Sequence, residues 1–169
     1  EDEARSRTQL RVRLPEGWGI ATPYPKLRGG EYRVEHPRRR FDRPTGWMIA
    51  GLLGVVREEV AGVKMSIAGP RGASVRRQDM LALLRWTLPT LREALASLPD
   101  RLLIVSAGDP MWRGGLSGPG SLFLHAHRPL ISEDGTSPVL HEVVHAALAA
   151  VVLVVATFLG IYKPKGTRR

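Results

Sequence analysis

Alternating polar and apolar positions in the first third of the chain predict a series of short strands. Residues 9–14 read Gln-Leu-Arg-Val-Arg-Leu, the period-two pattern of a half-buried strand. Segment 36–46 holds two prolines and three consecutive arginines and predicts a linker that follows an N-terminal β segment, residues 1–40. Similar patterns predict further strands at residues 18–22, 32–35, 47–50, 52–59 and 63–68.

Helical periodicity replaces the alternation after the Gly-Pro-Arg-Gly break at 69–72. Ser74 is a predicted N-cap, and Pro89 lies within the run and predicts a kink. The apolar positions recur mostly at steps of three and four residues, as one face of a long helix requires. They are Met80, Leu83, Leu84, Leu88, Leu91, Leu95 and Leu98.

Three segments follow the predicted helix. The continuous apolar run 102–105 predicts a strand buried on both faces. Residues 108–120 contain five glycines and predict a loop that can bring its backbone close to a ligand, although they match neither a Walker A nor a dinucleotide-binding pattern. Residues 121–127 predict one more strand, followed by a polar turn at 132–135.

Composition and charge exclude some classes of function but do not identify one. Apolar residues make up 43% and charged residues 24% of the chain, as in ordinary globular proteins. The net charge of +9 suits an anionic partner, but the basic residues are scattered and aromatic residues are only 6%, so we expect no nucleic-acid partner. There is no cysteine, which excludes disulfides and thiolate metal sites.

The segment His141-Glu142-Val143-Val144-His145 carries the clearest chemical signal in the chain. On a helix, positions i and i+4 share a face, so the two imidazoles can bind one Zn²⁺. The intervening Glu142 can then serve as a general base beside the metal. Thr136-Ser137-Pro138 supplies an N-cap and a proline suited to the first helical turn. The alternative is a chance match, in which both histidines are surface or cap residues.

The order of sheet, long helix, glycine-rich loop, strand and H-E-x-x-H helix resembles the catalytic domain of thermolysin-like gluzincins. The resemblance is nearest to the glycyl-aminopeptidase branch and its bacterial relatives. It rests on residues 41–48, 108–125 and 136–146 and extends over about residues 8–146. Only the H-E-x-x-H motif in it is chemically specific.

This resemblance implies an α+β fold and a hydrolytic function. Residues 1–40 would be the end of an N-terminal β domain, and residues 41–145 the sheet-plus-helix half of a peptidase catalytic subdomain. His141 and His145 would bind zinc, Glu142 would be the general base, and a metal-activated water would hydrolyse the peptide bond of a peptide substrate. The edge that faces the substrate would include Gly115, Leu116, Ser117, Gly118, Ser121 and Leu122.

The lack of a third zinc ligand is the weak point of this interpretation. Catalytic zinc takes three protein ligands, and in gluzincins the third is a glutamate on a later helix. The 24 residues after His145 contain no Asp, Glu, His or Cys, so we expect weak zinc binding and an incomplete site. His125 or His127 could approach the metal instead. The simpler alternative is that both are ordinary strand residues, satisfied by a backbone carbonyl or solvent.

Residues 146–169 predict an apolar helix with a basic tail. The 17 residues 146–162 carry no charge, and the basic residues that follow fit the cytoplasmic end of a membrane anchor. A core helix left uncovered by truncation and a chimeric or frameshifted sequence are the alternatives.

Two principal functions therefore compete at this point. The first is a zinc metallopeptidase domain, incomplete without its third ligand. The second is a non-enzymatic, membrane-tethered or interaction domain on a peptidase-like scaffold. An intramembrane metallopeptidase is a weaker possibility, because the segment before the motif offers no further spanning helix.

Overall fold

The computed structural model describes residues 7–34, 43–95 and 98–147. Within them the N-terminal strands form two small antiparallel sheets. One pairs β1 (Thr8–Leu10) with β3 (Tyr32–Val34), and the other pairs β2 (Gly19–Ala21) with β4 (Ile49–Gly51). Each of these strands is three residues long, shorter than the runs that the sequence pattern predicts.

A five-stranded mixed sheet forms the centre of the described chain. Its strands lie in the order β5-β6-β7-β9-β8, with β6, β7 and β9 parallel and the outer strands β5 and β8 antiparallel to their neighbours. The bounds are β5 (Leu53–Val60), β6 (Val63–Pro70), β7 (Arg101–Ala107), β8 (Gly115–Gly118) and β9 (Ser121–His125).

Two helices complete the architecture of the described residues. Helix α1 (Arg77–Ala94) provides the crossover that the parallel pair β6 and β7 requires. Residues 138–147 are also helical and form α2. The fold is therefore mixed α and β, as the sequence predicts. The predicted apolar helix 146–162 lies beyond the described residues after Ala147. Among the residues described, no helix is long and apolar enough to cross a bilayer.

The sheet has a core on each face because the apolar residues of its central strands alternate between them. Leu122 and Leu124 of β9 pack in the larger core, together with Leu84 of α1 and Val143 of α2. Phe123 points to the opposite face and packs with Trp47, at 4.9 Å between ring centroids. Every residue of β9 is buried, as expected for a strand covered on both sides.

The start of α1 corrects one sequence prediction. Ser74 is not its N-cap: the helix begins after Arg76, which makes no side-chain capping hydrogen bond. Instead, the guanidinium of Arg77 donates hydrogen bonds to the carbonyl oxygens of Gly54, Gly69 and Pro70, at 2.9, 3.0 and 2.7 Å. Three charge-assisted hydrogen bonds from one side chain tie the helix to β5 and β6.

Two predictions around the glycine-rich segment are also corrected. Residues 108–120 are not all loop, because β8 forms inside them and pairs with β9. The predicted strand 121–127 is two residues too long, since β9 ends at His125 and His127 lies in the turn that follows. The pattern of apolar residues cannot show where ladder pairing stops.

The packing of α1 on the sheet predicts how substitutions on this helix change the stability of the fold. Leu84 is fully buried in the larger core, so Leu84→Ala should lower the free energy of unfolding by about 2–5 kcal/mol. On the same helix Trp86 is 77% exposed, and Trp86→Ala should change the free energy of unfolding by less than about 0.5 kcal/mol. Urea unfolding followed by circular dichroism measures both. Equal losses in the two variants would contradict the described orientation of α1.

Candidate active site

Helix α2 is fixed at its start by a side-chain cap. The backbone N–H of Leu140 donates to Ser137 Oγ at 3.3 Å, and the N–H of His141 donates to the Ser137 carbonyl at 2.9 Å. Pro138 occupies the first helical position, where its missing N–H costs nothing. The sequence prediction of a capped helix start at 136–138 agrees with these contacts.

One face of α2 is buried, and this sets the direction of the opposite face. Val139, Val143 and Ala147 recur every four residues and are each no more than 1% exposed. His141 and His145 lie on the other face and are exposed. Their ring centroids are 4.3 Å apart and the ring planes are inclined by 33°. The helix therefore holds two imidazoles side by side, one turn apart.

Glu142 follows His141 in the helix and faces the sheet edge. A Cβ built on Gly115 of β8 would be 3.0 Å from both Cγ and Oε1 of Glu142. That is closer than ordinary van der Waals contact, so any side chain at position 115 would clash with the side chain of Glu142. The absence of a side chain at Gly115 lets Glu142 approach the backbone of the edge strand.

A cleft of about 440 Å³ opens between the glycine-rich segment and the start of α2. His141 and Glu142 form one wall, and Gly115 with the exposed ring of Trp112 forms part of the other. Two arginines, Arg113 and Arg128, also line it. The cleft therefore combines one carboxylate, one imidazole, two guanidinium groups and an apolar ring.

The six residues predicted to face the substrate divide into three groups. Gly115 lines the cleft, and Leu116 is 52% exposed on the edge strand. Ser117 and Gly118 are half-buried. Ser121 and Leu122 are buried instead: Ser121 Oγ accepts a hydrogen bond from the N–H of Trp47 at 2.6 Å, and Leu122 is in the core. The side chains of these last two residues do not line the cleft.

The zinc site implied by the resemblance fits these residues only in part. His141 and His145 are disposed as two ligands, but among residues 7–34, 43–95 and 98–147 they belong to no group of three potential ligands. Asp134 does not supply the third. Its Oδ1 accepts hydrogen bonds from the hydroxyl and the backbone N–H of Thr136, which lower the pKa of the carboxyl and stabilise the turn before α2.

A group that sequence reasoning missed lies at the carboxyl ends of β7 and β9. Asp109, His125 and His127 bring one potential ligand atom each to within 4.8 Å of one another. His125 lies on the Phe123 face of β9, opposite α2, so it does not complete the His141–His145 pair. The signal in the sequence was two histidines at a strand end, but Asp109 is sixteen residues away from His125 and only the strand pairing brings it close.

The sequence finds no match among protein-family models, and a search of curated proteins also finds none. Among solved structures, the fold is similar to that of an aminopeptidase N family protein from Idiomarina loihiensis. The TM-score is 0.64 at 19% identity over 86% of this chain. The chain covers 28% of that protein's length. The described residues therefore have a peptidase-like fold, and at this identity the likeness shows the fold alone.

The ion pair between Asp109 and the cleft residue Arg113 leads to a prediction about the pKa of Asp109. The Arg113 guanidinium donates two hydrogen bonds to the carboxylate, at 3.0 and 2.8 Å, and holds the pKa of Asp109 below its ordinary value. The imidazoles of His125 and His127 lower this pKa further. Arg113→Gln should therefore raise the Asp109 pKa, which carboxyl ¹³C chemical shifts recorded against pH would measure.

The sign of the accompanying stability change follows from linkage. A carboxyl whose folded-state pKa is depressed stabilises the fold above its unfolded pKa, and this contribution disappears as pH falls through the folded value. Arg113→Gln should thus flatten the acid limb of the stability profile slightly, because both side chains are largely exposed. Arg71→Gln, in an exposed turn, is the matched control. An unchanged Asp109 pKa in Arg113→Gln would show that Arg113 does not hold it.

Proposed function

We propose that the cleft beside α2 is part of the active site of a zinc-dependent peptidase. The supporting observation is the position of Glu142, with its carboxylate against the backbone of an edge strand and the His141–His145 pair beside it in the helix. The fold that this chain shares with the solved aminopeptidase N family protein agrees with the proposal. That likeness says nothing about the chemistry of the site.

In this proposal His141 and His145 would hold the metal through their imidazole nitrogens. Zinc supplies Lewis-acid activation of a water and of the substrate carbonyl when bound. Glu142 would accept the proton of the attacking water at one carboxylate oxygen and could return it to the leaving amine. The space over Gly115 keeps that carboxylate at the strand along which an extended peptide would lie.

The substrate would be a peptide bound in extended form along β8. This strand is the outer member of the sheet order, so its outward N–H and C=O groups lack a ladder partner within the sheet. A peptide backbone can add to such an edge as a further strand. Leu116 and Trp112 are exposed there and offer apolar contact to its side chains.

The number of zinc ligands sets the expected affinity. Catalytic zinc requires three protein ligands, and the sequence after His145 offers none. We therefore propose that this chain binds zinc weakly at this site. Appending a helix that carries a glutamate should strengthen the binding, which metal analysis after dialysis would measure.

Glu142→Gln tests the catalytic part of the proposal. The variant keeps the size of the side chain but cannot accept the proton, so hydrolysis of a fluorogenic peptide should fall by about 10²–10⁴-fold. Zinc content should stay unchanged, because Glu142 is not a proposed ligand. The chain is assayed with and without the appended helix. Low activity caused by weak zinc binding can then be distinguished from low activity caused by the loss of the general base.

Two matched variants complete this test. Glu133→Gln removes an exposed turn carboxylate outside the cleft and should leave the rate unchanged. His141→Gln/His145→Gln should lose both zinc and activity. Equal rates in Glu142→Gln and its parent would contradict the peptidase proposal. A zinc-loaded, extended chain without any hydrolysis would favour the alternative, a non-enzymatic interaction domain on the same scaffold.

A further inference from the structure

We propose that Asp109, His125 and His127 form a second metal site, for a divalent transition ion such as Zn²⁺, separate from the His141–His145 pair. The proposal does not depend on the peptidase function. It rests on where the fold places the three side chains, on one unpartnered buried nitrogen, and on the chemistry of the ligand set.

The strand topology brings the group together. Ala107 and His125 are register partners at the carboxyl ends of the parallel strands β7 and β9. Asp109 follows β7 by two residues and His127 follows β9 by two residues. The carboxyl ends of neighbouring parallel strands are where open α/β sheets place their ligands, because the chain leaves the sheet there and exposes its polar groups.

His125 is the decisive residue, because its side chain is only 1% exposed. Its Nδ1 accepts a hydrogen bond from the backbone N–H of His127 at 3.3 Å. Its Nε2 is buried without a hydrogen-bond partner among the described residues. Buried polar atoms are nearly always satisfied, so an unpartnered nitrogen needs an explanation. This nitrogen lies 3.7 Å from Asp109 Oδ1, too far for a hydrogen bond but suited to a shared cation.

The ligand set matches a borderline transition ion. Two imidazoles with one carboxylate are a set that zinc uses, with an open position for water. Ligand atoms on one zinc lie roughly 3.4 Å apart, given bonds of about 2.0–2.1 Å. The present spread of up to 4.8 Å therefore requires a small inward movement. His127 and Asp109 are both exposed and can make it, while the buried His125 stays fixed.

Two existing contacts would change when the cation binds. The ring proton of His125 would move from Nε2 to Nδ1. Nδ1 would then no longer accept the hydrogen bond from the N–H of His127, which at 3.3 Å is longer than most protein hydrogen bonds. Asp109 would share its carboxylate between the cation and Arg113. Their ion pair is largely exposed, at 52% and 71% of the side-chain surface, and exposed pairs contribute little. Neither change opposes binding strongly.

The experiment uses the full chain with His141→Gln/His145→Gln, so that the other pair of histidines cannot contribute. Titration with Co²⁺ should give about one bound ion per chain, with the visible absorption of a low-coordinate site, and Zn²⁺ should displace it. Adding Asp109→Asn or His127→Gln should weaken Co²⁺ binding at least about tenfold, because each removes one ligand. Both positions are exposed, so folding should survive, which circular dichroism would verify.

Glu133→Gln in the same background is the control, since it also removes an exposed carboxylate, from the turn before α2. It should bind Co²⁺ as the parent does. Co²⁺ binding that persists unchanged in Asp109→Asn and His127→Gln, or a parent that takes up no Co²⁺, would overturn the proposal. Neither result bears on peptide hydrolysis at Glu142, so the two proposals fail independently.

Discussion

Burial of β9 on both faces is the constraint on which the rest of the described structure depends. Leu122 and Leu124 are committed to the core beneath α1 and α2, and Phe123 to the core beneath Trp47. A register shift of one residue would exchange these faces and put Phe123 where the two leucines pack, so the register is strongly specified. Because β8 and β7 pair with β9 on either side, that register also places Gly115 under Glu142 and Ala107 beside His125.

Local periodicity accounts for helix α2 and its capped start, both of which the sequence predicted. The spacing of Val139, Val143 and Ala147 fixes the buried face of α2, and the exposed position of His141 and His145 follows from helical geometry alone. The capped start at Ser137 is likewise local. These features need no knowledge of distant residues, which is why one stretch of sequence was sufficient for them.

Long-range pairing accounts for what the sequence could not show. The start of α1 is held by Arg77, whose three acceptors lie on β5 and β6, and no local pattern predicts such contacts. The group of Asp109 with two histidines exists only because β7 and β9 are parallel neighbours. β8 was likewise hidden in a glycine-rich run, where few side chains exist to show alternation. The hydrogen bond of Ser121 could not be predicted for the same reason, since its partner Trp47 is 74 residues away.

Arg113 connects the two regions of the molecule that carry ionisable chemistry. Its side chain lines the cleft of His141 and Glu142, while its guanidinium is bound to the carboxylate of Asp109. Asp109 is therefore the neutralising partner of a cation that would otherwise face the cleft. Any positive charge that gathers beside Asp109, whether on His125, His127 or a bound ion, weakens the attraction between Asp109 and Arg113. The charge in the cleft beside Glu142 and the state of the histidine–aspartate group are consequently linked through one side chain, even though the two groups lie on opposite faces of β9.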